Sequence, residues 1–504
     1  MKLVVIGLDG AHWELIYPWI EEGSLSNISR IISHGVWGDM LSCLPPVTLP
    51  NWKCYSTGKN PGKIGIFWWE NIDFNHGRIY HPFHRKFLNK EIWDYLSEAG
   101  YRVGVIGVPG TYPPKKVNGF MIAGGPDAEE KGFTYPRDLE KRIKDEYGYK
   151  LRPETPISLD KDKASREIKD IINVKFRVAK TLADEYQVDF LQVTSFEINT
   201  MHHFLWNDER TKECWKIIDH HIHDFLKDGE TNVMLVSDHG SNEIRTVFNI
   251  NTWLEKRGYL RTSTRSSGLL YRLGITQELL SKALRRLGLK KLAKKVPKNI
   301  VGRIPSSSGE IEKRENMIDW EKSRAIASGQ GPIYLKAKNE EEKSKLLIEI
   351  KKELEELVSP ITGERIVNKV YLKQDIYSGK YLDEAPDLII DQAKGIHIPG
   401  GIGMKEVFST PKRWRAENKK WGLFAAYGPG IKSGEKVKIS ILDLAPTILY
   451  MFNTPVPADM DGKVLTEIFK EEPKVVKRRV SYQEMDEKKK IRERIRELRK
   501  LSKI

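Results

Sequence analysis

Cysteine is scarce in this sequence. Only Cys43, Cys54 and Cys214 occur, and no two of them have the Cys-x-x-Cys spacing. Proteins that depend on a disulfide framework carry more cysteines at short, regular spacings. The scarcity therefore argues against a disulfide scaffold and favours a reducing compartment, so we expect a cytoplasmic protein.

Long apolar runs are lacking as well. Residues 3–8 form an apolar run close to the first residue, but Asp9 interrupts it, so it is too short for a signal-peptide core or a membrane-spanning helix. No later run is long enough to span a bilayer, and we find no internal repeats. We therefore expect residues 3–8 to form a buried strand.

The length of the chain bounds its domain organisation. It has 504 residues, of which 39% are hydrophobic and 30% are charged, a composition typical of a globular protein. A single hydrophobic core stops growing at about 250 to 300 residues. We therefore expect one large domain with insertions, or two domains.

The charge of the chain is strongly basic. Lys and Arg together number 84 against 69 for Asp and Glu, which gives a formal net charge of +15. Such a charge favours anionic partners, but it does not choose among phosphate esters, nucleic acid and acidic lipid. The basic residues lack the interleaved aromatic residues that stack on bases, which argues against nucleic acid.

Short β-branched apolar runs alternate with helical patterns along the first half of the chain. The predicted strands are residues 3–8, 101–108, 120–123, 189–194 and 232–237, and the clearest helices between them are 92–99, 166–186 and 215–226. This alternation predicts an α/β protein with a doubly wound, mostly parallel sheet flanked by helices.

Polar side chains follow the ends of these strands. Asp9 comes directly after the first strand, and Asp238 and His239 come directly after the fifth. Thr48 stands two residues before Pro50, which suits the first position of a helix, so Thr48 would face free backbone N–H groups. Asn51 could offer its amide to the same anion. Because the carboxyl ends of parallel strands share one edge of a sheet, we expect these groups to converge.

Two carboxylates, an imidazole and a threonine oxygen form a ligand set that suits zinc or another divalent ion. A metal ion bound beside Thr48 would help to ionise its hydroxyl, which an unaided threonine cannot do at neutral pH. Asn199 and His203 are four residues apart, so on a helix both would lie on one face and could approach one ion.

At these residues the sequence resembles the type I phosphodiesterase and nucleotide pyrophosphatase family of the alkaline phosphatase superfamily. The matching segments are Val5-Ile6-Gly7-Leu8-Asp9-Gly10-Ala11, Pro46-Val47-Thr48-Leu49-Pro50-Asn51-Trp52, Asn60-Pro61-Gly62-Lys63, Tyr112-Pro113-Pro114, Asp238-His239-Gly240, Gly428-Pro429-Gly430-Ile431 and Asp443-Leu444-Ala445-Pro446-Thr447. The resemblance implies an alkaline-phosphatase-like fold and a two-metal site in which a threonine attacks phosphorus.

Carried onto this sequence, the resemblance assigns one metal site to four residues: Asp9, Thr48, Asp238 and His239. It assigns the oxyanion contacts to Asn51 and the Leu49 backbone N–H. The second metal site departs from the family pattern, because Asn199 and Asn418 stand where an aspartate and a histidine are usual, while His203 is retained. Neutral amides bind zinc weakly.

Four explanations of the second site remain open. The site could hold a harder ion such as Mg or Mn, or the protein could use a single metal, with Lys419 or Lys420 supplying the missing positive charge. Replacement ligands could come from His202, His220, His221 or His397. The protein could also be a catalytically silent relative.

The sequence predicts four segments. Residues 1–260 and 319–475 are expected to form the two parts of the catalytic α/β core, separated by a basic helical cap at 261–318 and followed by a charged helical tail at 476–504. The amphipathic basic helix 276–296 could contact an anionic membrane surface, which would make the protein peripheral to the membrane. The narrow apolar stripe of the tail would suit docking or a homodimer.

We therefore predict a metal-dependent phosphodiesterase or nucleotide pyrophosphatase-like hydrolase that acts on a phosphodiester or nucleotide-like small molecule. Thr48 is the expected nucleophile, and zinc is the expected ion at the first site. The alternatives are a transferase that moves a phospho-group from a lipid- or nucleotide-linked donor, and a silent binder of phosphorylated ligands or membrane surfaces.

Overall fold

The computed structural model describes residues 1–262, 311–470 and 480–483. Most of the predicted basic insertion lies outside these residues, including helix 276–296 and its membrane-surface contact. Most of the predicted tail, with its contact to a second subunit, lies outside them too. Among the described residues, no helix combines the length and the apolar character that crossing a membrane requires.

The strands are numbered along the chain. They are β1 (Leu3–Leu8), β2 (Val36–Leu41), β3 (Asn71–Asp73), β4 (Arg78–Tyr80), β5 (Val103–Pro109), β6 (Gly119–Gly124), β7 (Thr134–Tyr135), β8 (Phe190–Ser195), β9 (Asn232–Val236), β10 (Gly240–Glu243), β11 (Thr246–Phe248), β12 (Ala325–Ala327), β13 (Pro332–Leu335), β14 (Val367–Leu372), β15 (Leu388–Gln392), β16 (Ile396–His397), β17 (Phe408–Ser409), β18 (Ala416–Lys419), β19 (Trp421–Tyr427), β20 (Glu435–Ser440), β21 (Val456–Pro457) and β22 (Tyr482–Gln483).

The helices are numbered in the same way. They are α1 (Trp13–Glu21), α2 (Ser26–His34), α3 (Thr48–Thr57), α4 (Pro61–Ile64), α5 (Ile92–Glu98), α6 (Leu139–Tyr147), α7 (Lys161–Glu185), α8 (Glu197–Phe204), α9 (Glu209–Leu226), α10 (Ile250–Lys256), α11 (Ile311–Met317), α12 (Glu340–Glu355), α13 (Lys373–Ile376) and α14 (Leu444–Met451). Short 3-10 turns lie at Phe83–Phe87, Leu382–Glu384, Ile441–Asp443 and Thr466–Ile468.

The main sheet has the order β20-β2-β19-β9-β1-β8-β5-β6-β7. Its central strands β9, β1, β8, β5 and β6 are parallel to one another. β19 is antiparallel to both β9 and β2, and β7 is antiparallel to β6. The predicted doubly wound, mostly parallel sheet is therefore confirmed, with antiparallel additions on both sides.

Helices cover both faces of this sheet, as the central strand shows. Val4, Ile6 and Leu8 of β1 belong to one buried cluster, which includes apolar residues of α1, α2, α7 and α9. Leu3 and Val5 belong to a second cluster on the opposite face, with residues of α3, α5 and α14. Because successive side chains of a strand point to opposite faces, an all-apolar strand is stable only when both faces are buried.

A second sheet lies apart from the main one. It has the order β12-β13-β15-β14, all its neighbours are antiparallel, and its apolar side chains form a cluster of their own with those of α10 and α12. The sequence assigns residues 319–475 to the second part of the catalytic core, and within that range these four strands form a sheet of their own. Apolar alternation shows that a segment is a strand, but it does not show which sheet the strand joins.

The chain returns from the second sheet through β18, which pairs with β10 in antiparallel fashion. Ser241 is opposite Asn418, and Asn242 is opposite Glu417. β10 follows Asp238 and His239 directly, and β18 contains Asn418. This small ladder therefore connects the predicted first metal site with the predicted second one. The ladder also leads into β19 of the main sheet.

Candidate functional site

Three predicted ligands meet at one edge of the main sheet. β1 and β9 are neighbouring parallel strands, with Gly7 opposite Val236, so the residues that follow both strands emerge side by side. One ligand atom from each of Asp9, Asp238 and His239 lies within 4.8 Å of the others, and all three residues are buried. The convergence that the strand ends predict is therefore present.

Thr48 completes this group from the first turn of α3. Its Oγ1 lies 3.1 Å from His239 Nε2 and 3.5 Å from Asp9 Oδ1. The helix begins at Thr48 itself, with Val47 as its N-cap, so Pro50 is the third helical residue rather than the first. The first N–H groups of a helix have no intrahelical partner, so Thr48 lies beside donors suited to an anion.

Each of the three predicted ligands uses one side-chain atom in a hydrogen bond to a neighbouring residue. A second side-chain atom of each is then left facing the other ligands. Trp52 Nε1 donates to Asp9 Oδ2 over 2.8 Å, and the Gly10 N–H donates to Asp238 Oδ1 over 3.1 Å. His239 Nδ1 lies 3.0 Å from the Gly240 carbonyl oxygen, which leaves Nε2 on the side of Thr48. Trp52 was assigned no role from the sequence.

The electrostatics of the group fit a divalent cation. Burial and the neighbouring Asp238 raise the pKa of Asp9. Burial alone would lower the pKa of His239, but Asp238 and Asp9 outweigh it and raise that pKa to about 9. Asp238 Oδ2 lies 3.0 Å from His239 Nε2, yet within the described chain no donor is aligned with it. Two carboxylates and an imidazole without solvent need a positive charge among them, and a divalent ion would supply it.

Asn51 does not face this group, which corrects the oxyanion prediction for its amide. Its Nδ2 donates to the carbonyl oxygens of Cys43, Pro45 and Val47, over 3.0 to 3.1 Å. Its Oδ1 accepts from the Cys43 N–H over 2.8 Å. The Asn51 side chain therefore points back into the loop before α3. Its hydrogen bonds hold this loop, which leads into Thr48.

The three second-site residues all line one cavity beside Thr48. Asn199 and His203 lie on α8, as their spacing predicts, and Asn418 comes from β18. The side-chain oxygens of both amides are buried without a partner in the described chain, and Asn418 Nδ2 donates to the Pro46 carbonyl oxygen over 2.9 Å. Only His203 offers a strong nitrogen ligand here, so this set is poorer for zinc than the first.

Most of the suggested substitutes for the second site lie elsewhere. Lys419 pairs with Glu14, and Lys420 pairs with Asp391, on a separate surface pocket. His202 is buried against Trp215, whose indole donates to it. His220 is exposed on α9, and His221 bonds to Asn173. The sequence could not show this, because each position depends on which way its helix or strand faces.

The cavity has a volume of about 760 Å³ and aromatic walls. Of the suggested substitutes, His397 does line it, in a glycine-rich loop at residues 395–403. Sequence reasoning missed several other residues of the walls. The lining side chains not singled out by sequence include Trp68, Trp69, Asp127, Phe196, Phe204, Gln330, Trp414 and Glu417. Their positions in separate segments, and the absence of a motif around them, gave no signal.

Comparisons with known proteins agree with the resemblance. A family model described as type I phosphodiesterase / nucleotide pyrophosphatase matches residues 3–421. Among solved structures, human ectonucleotide pyrophosphatase / phosphodiesterase 5 superposes with a TM-score of 0.50 and 14% sequence identity, covering 93% of this chain and 100% of that chain. At this identity the structural likeness concerns the fold alone. No curated protein matches by sequence.

Proposed function

The chain belongs to the type I phosphodiesterase and nucleotide pyrophosphatase family, and on that premise we propose that it is a metal-dependent phosphodiesterase with Thr48 as nucleophile. The observation that carries this proposal is the position of Thr48 Oγ1, 3.1 Å from His239 Nε2 and beside the buried Asp9 and Asp238. This group lies at the edge of a cavity large enough for a small-molecule diester.

The residues divide the work as follows. Asp9, Asp238 and His239 would hold a divalent ion, with zinc the best match to two carboxylates and an imidazole. When bound, such an ion favours ionisation of the Thr48 hydroxyl. Thr48 Oγ1 then attacks phosphorus, the bond from phosphorus to the leaving oxygen breaks, and water later breaks the bond from phosphorus to Thr48. The N–H groups at the start of α3 face the negative charge that develops on the phosphoryl oxygens.

The walls of the cavity favour a substrate with a flat or apolar group. Trp68, Trp69 and Trp414 line it together with Phe196 and Phe204. Aromatic rings bury large apolar areas and stack on flat groups, so they suit a nucleotide-like substrate or an aryl ester. A second ion at Asn199, His203 and Asn418 would be weakly held and would more readily be Mg or Mn than zinc.

The test compares a bis-aryl phosphodiester with the corresponding monoester, together with metal analysis of the purified protein. Thr48→Ala should lower turnover of the diester by orders of magnitude while bound zinc remains measurable, because the other three ligands stay in place. Thr57→Ala is a matched control, since Thr57 lies in the same helix and its hydroxyl bonds to backbone groups, donating to the Lys53 carbonyl oxygen and accepting from the Lys59 N–H. Undiminished turnover in Thr48→Ala would refute this assignment.

One observation favours a second candidate function. The amides of Asn199 and Asn418 remove a negative charge and a strong donor from the second site, which would suit a silent protein that binds phosphorylated ligands. Binding of a diester without turnover by the zinc-loaded wild-type protein would select this candidate over the enzyme.

A further inference from the structure

The cavity that Thr48 lines also contains a buried carboxylate with a fixed orientation. Glu417 is 1% exposed. Its Oε1 accepts from Gln330 Nε2 over 2.8 Å and from the Asn418 N–H over 2.7 Å. Its Oε2 bonds to His397 Nδ1. Because Gln330 and the Asn418 N–H both bond to Oε1, Oε2 of Glu417 is left to bond to the His397 imidazole.

The contacts of this carboxylate indicate its charge. Three nitrogen groups, Gln330 Nε2, the Asn418 N–H and His397 Nδ1, are directed at its two oxygens, which is the pattern of an ionised carboxylate that accepts hydrogen bonds. An ionised carboxylate accepts a hydrogen bond and cannot donate one, so the proton between the two groups belongs to His397 Nδ1. His397 Nε2 has no hydrogen-bond partner in the described chain, and the residue lines the cavity.

Gln330, which donates to Glu417, has a strained backbone conformation and is fixed by its own hydrogen bonds. Gln330 has a φ of +60°, which is uncommon for a residue with a side chain, and it stands between Gly329 and Gly331. Its N–H donates to the Ile398 carbonyl oxygen over 2.7 Å, and its Oε1 accepts from Trp68 Nε1 over 3.0 Å. Backbone strain of this kind persists where the surrounding structure over-determines it, and it concentrates at functional sites.

Trp414 lies near both His203 and His397. Its ring stacks on His203 with a centroid distance of 4.0 Å, and it also lies parallel to His397 with a centroid distance of 6.2 Å. His203 Nδ1 bonds to the Ala416 carbonyl oxygen over 2.7 Å. His203 is therefore held by a backbone carbonyl group and by Trp414, whereas His397 is held by a carboxylate.

The remaining ionisable groups of the cavity are committed elsewhere. Asp127 pairs with Lys86, and the His81 ring bonds to the Trp69 carbonyl oxygen and stacks on Phe83. Lys419 and Lys420 lie on a different pocket. The oxygen that leaves phosphorus needs either a cation or a proton, since it departs with a negative charge. With two amides in place of the usual strong ligands, His397 is the group of the described cavity best placed to give that proton.

We propose that His397, oriented by Glu417, is the general acid for the leaving group and then the general base for the attacking water. The inference rests on the proposed function and deepens it, because it assigns to an imidazole the part that a second cation would otherwise have. Glu417 is a positioning residue, since it acts through His397.

Protons and bonds balance over the cycle. In the first half, the bond between Thr48 Oγ1 and phosphorus forms, the bond to the leaving oxygen breaks, and the proton on His397 Nε2 passes to that oxygen. In the second half, water takes the place of the departed alcohol and gives a proton to Nε2 as its oxygen bonds to phosphorus. The bond to Thr48 then breaks, which restores the threonine alkoxide and the imidazolium.

The test uses leaving groups of different basicity. Two aryl methyl phosphates serve as probes, one with 4-nitrophenol and one with unsubstituted phenol as the leaving group, because nitrophenolate departs without a proton and phenolate does not. His397→Gln should lower kcat for the phenyl ester by about 100-fold or more, a typical share for a general acid, and lower kcat for the nitrophenyl ester far less. Glu417→Gln should show the same selectivity to a smaller degree.

His220→Gln is the matched control, since His220 is exposed on α9 and does not line the cavity. Zinc content and the melting temperature report whether the first site and the fold are intact in every variant. Equal losses of kcat for both esters in His397→Gln, at wild-type zinc content, would overturn the dyad and leave the proposed function standing. An inactive, zinc-loaded wild-type protein would overturn the proposed function and the dyad with it.

Discussion

At the scale of single residues, the two halves of the site differ in what their side chains can hold. Asp9, Asp238 and His239 bring charge and a strong nitrogen donor to a dry position. Asn199 and Asn418 bring two neutral oxygens without partners. Two neutral amides, where the family pattern has a carboxylate and an imidazole, therefore leave the second set of residues weaker for a cation than the first.

This difference can be reversed by substitution. Asn199→Asp combined with Asn418→His should raise the zinc content of the protein from about one ion towards two, because a carboxylate and an imidazole would then flank His203. Metal analysis after dialysis against a fixed free-zinc concentration measures the change, with each single variant as a control. Zinc content that stays at the wild-type value in the double variant would show that these positions do not converge on one ion.

Single residues were also where the sequence was most informative. Asp9, Thr48, Asp238 and His239 could be assigned because each follows a predicted strand end or begins a helix, and parallel strands place such ends at one edge. Asn51 was placed wrongly. Its spacing from Thr48 was compatible with an oxyanion contact, but spacing alone does not show that three backbone carbonyl groups compete for the same amide.

At the scale of elements, the loop before α3 and the helix act as one unit. Asn51 bonds to the loop at Cys43, Pro45 and Val47, and Asn418 of β18 bonds to it at Pro46. The loop thus has contacts from its own helix and from a strand that lies hundreds of residues later. These contacts hold Thr48 in place.

Asn51→Ala should therefore lower stability and turnover together. Loss of the amide leaves buried carbonyl groups without this donor, which costs about 1 to 3 kcal/mol, and the looser loop misplaces Thr48. Thermal unfolding and kcat for a diester measure the two effects. Asn60→Ala, which removes another loop-bracing amide outside the cavity, should lower the melting temperature but not kcat. A loss of kcat at unchanged melting temperature in Asn51→Ala would return Asn51 to the role of an oxyanion contact.

Elements whose partners lie far away in sequence were beyond sequence reasoning. Strands β12, β13 and β15 lie in the range that was expected to form the second part of the core, yet they pair with one another in a separate antiparallel sheet. The His397–Glu417 pair depends on that sheet, on the glycine-rich loop and on β18 at once. Glu417 stands in a charged stretch that resembles a solvated surface, and nothing local indicates that it is buried.

At the scale of the whole molecule, the first site joins segments from separate parts of the chain. Its residues follow β1, begin α3 and follow β9, so an ion held there would connect three parts of the chain that are distant in sequence. An ion that binds the folded protein and not the unfolded chain stabilises the fold by mass action.

Removal of metal should therefore lower the melting temperature. At a free ion concentration 100 times the dissociation constant, the expected stabilisation is about 2.7 kcal/mol. Differential scanning calorimetry of the zinc-loaded protein, before and after a chelator and again after zinc is restored, measures the effect. Asp238→Asn should give a melting temperature that is insensitive to both treatments. A zinc-dependent melting temperature in that variant would place the stabilising ion elsewhere.

The ladder between β10 and β18 has a consequence for how the chain can change length. It places Glu417 opposite Asn242, immediately after the segment that carries Asp238 and His239. A slip of one residue would bring Ala416 or Asn418 to that position, and neither could orient His397. Exposed loops can accommodate insertions and deletions. We expect none within this ladder, because a change of one residue there would move the Glu417 side chain away from His397.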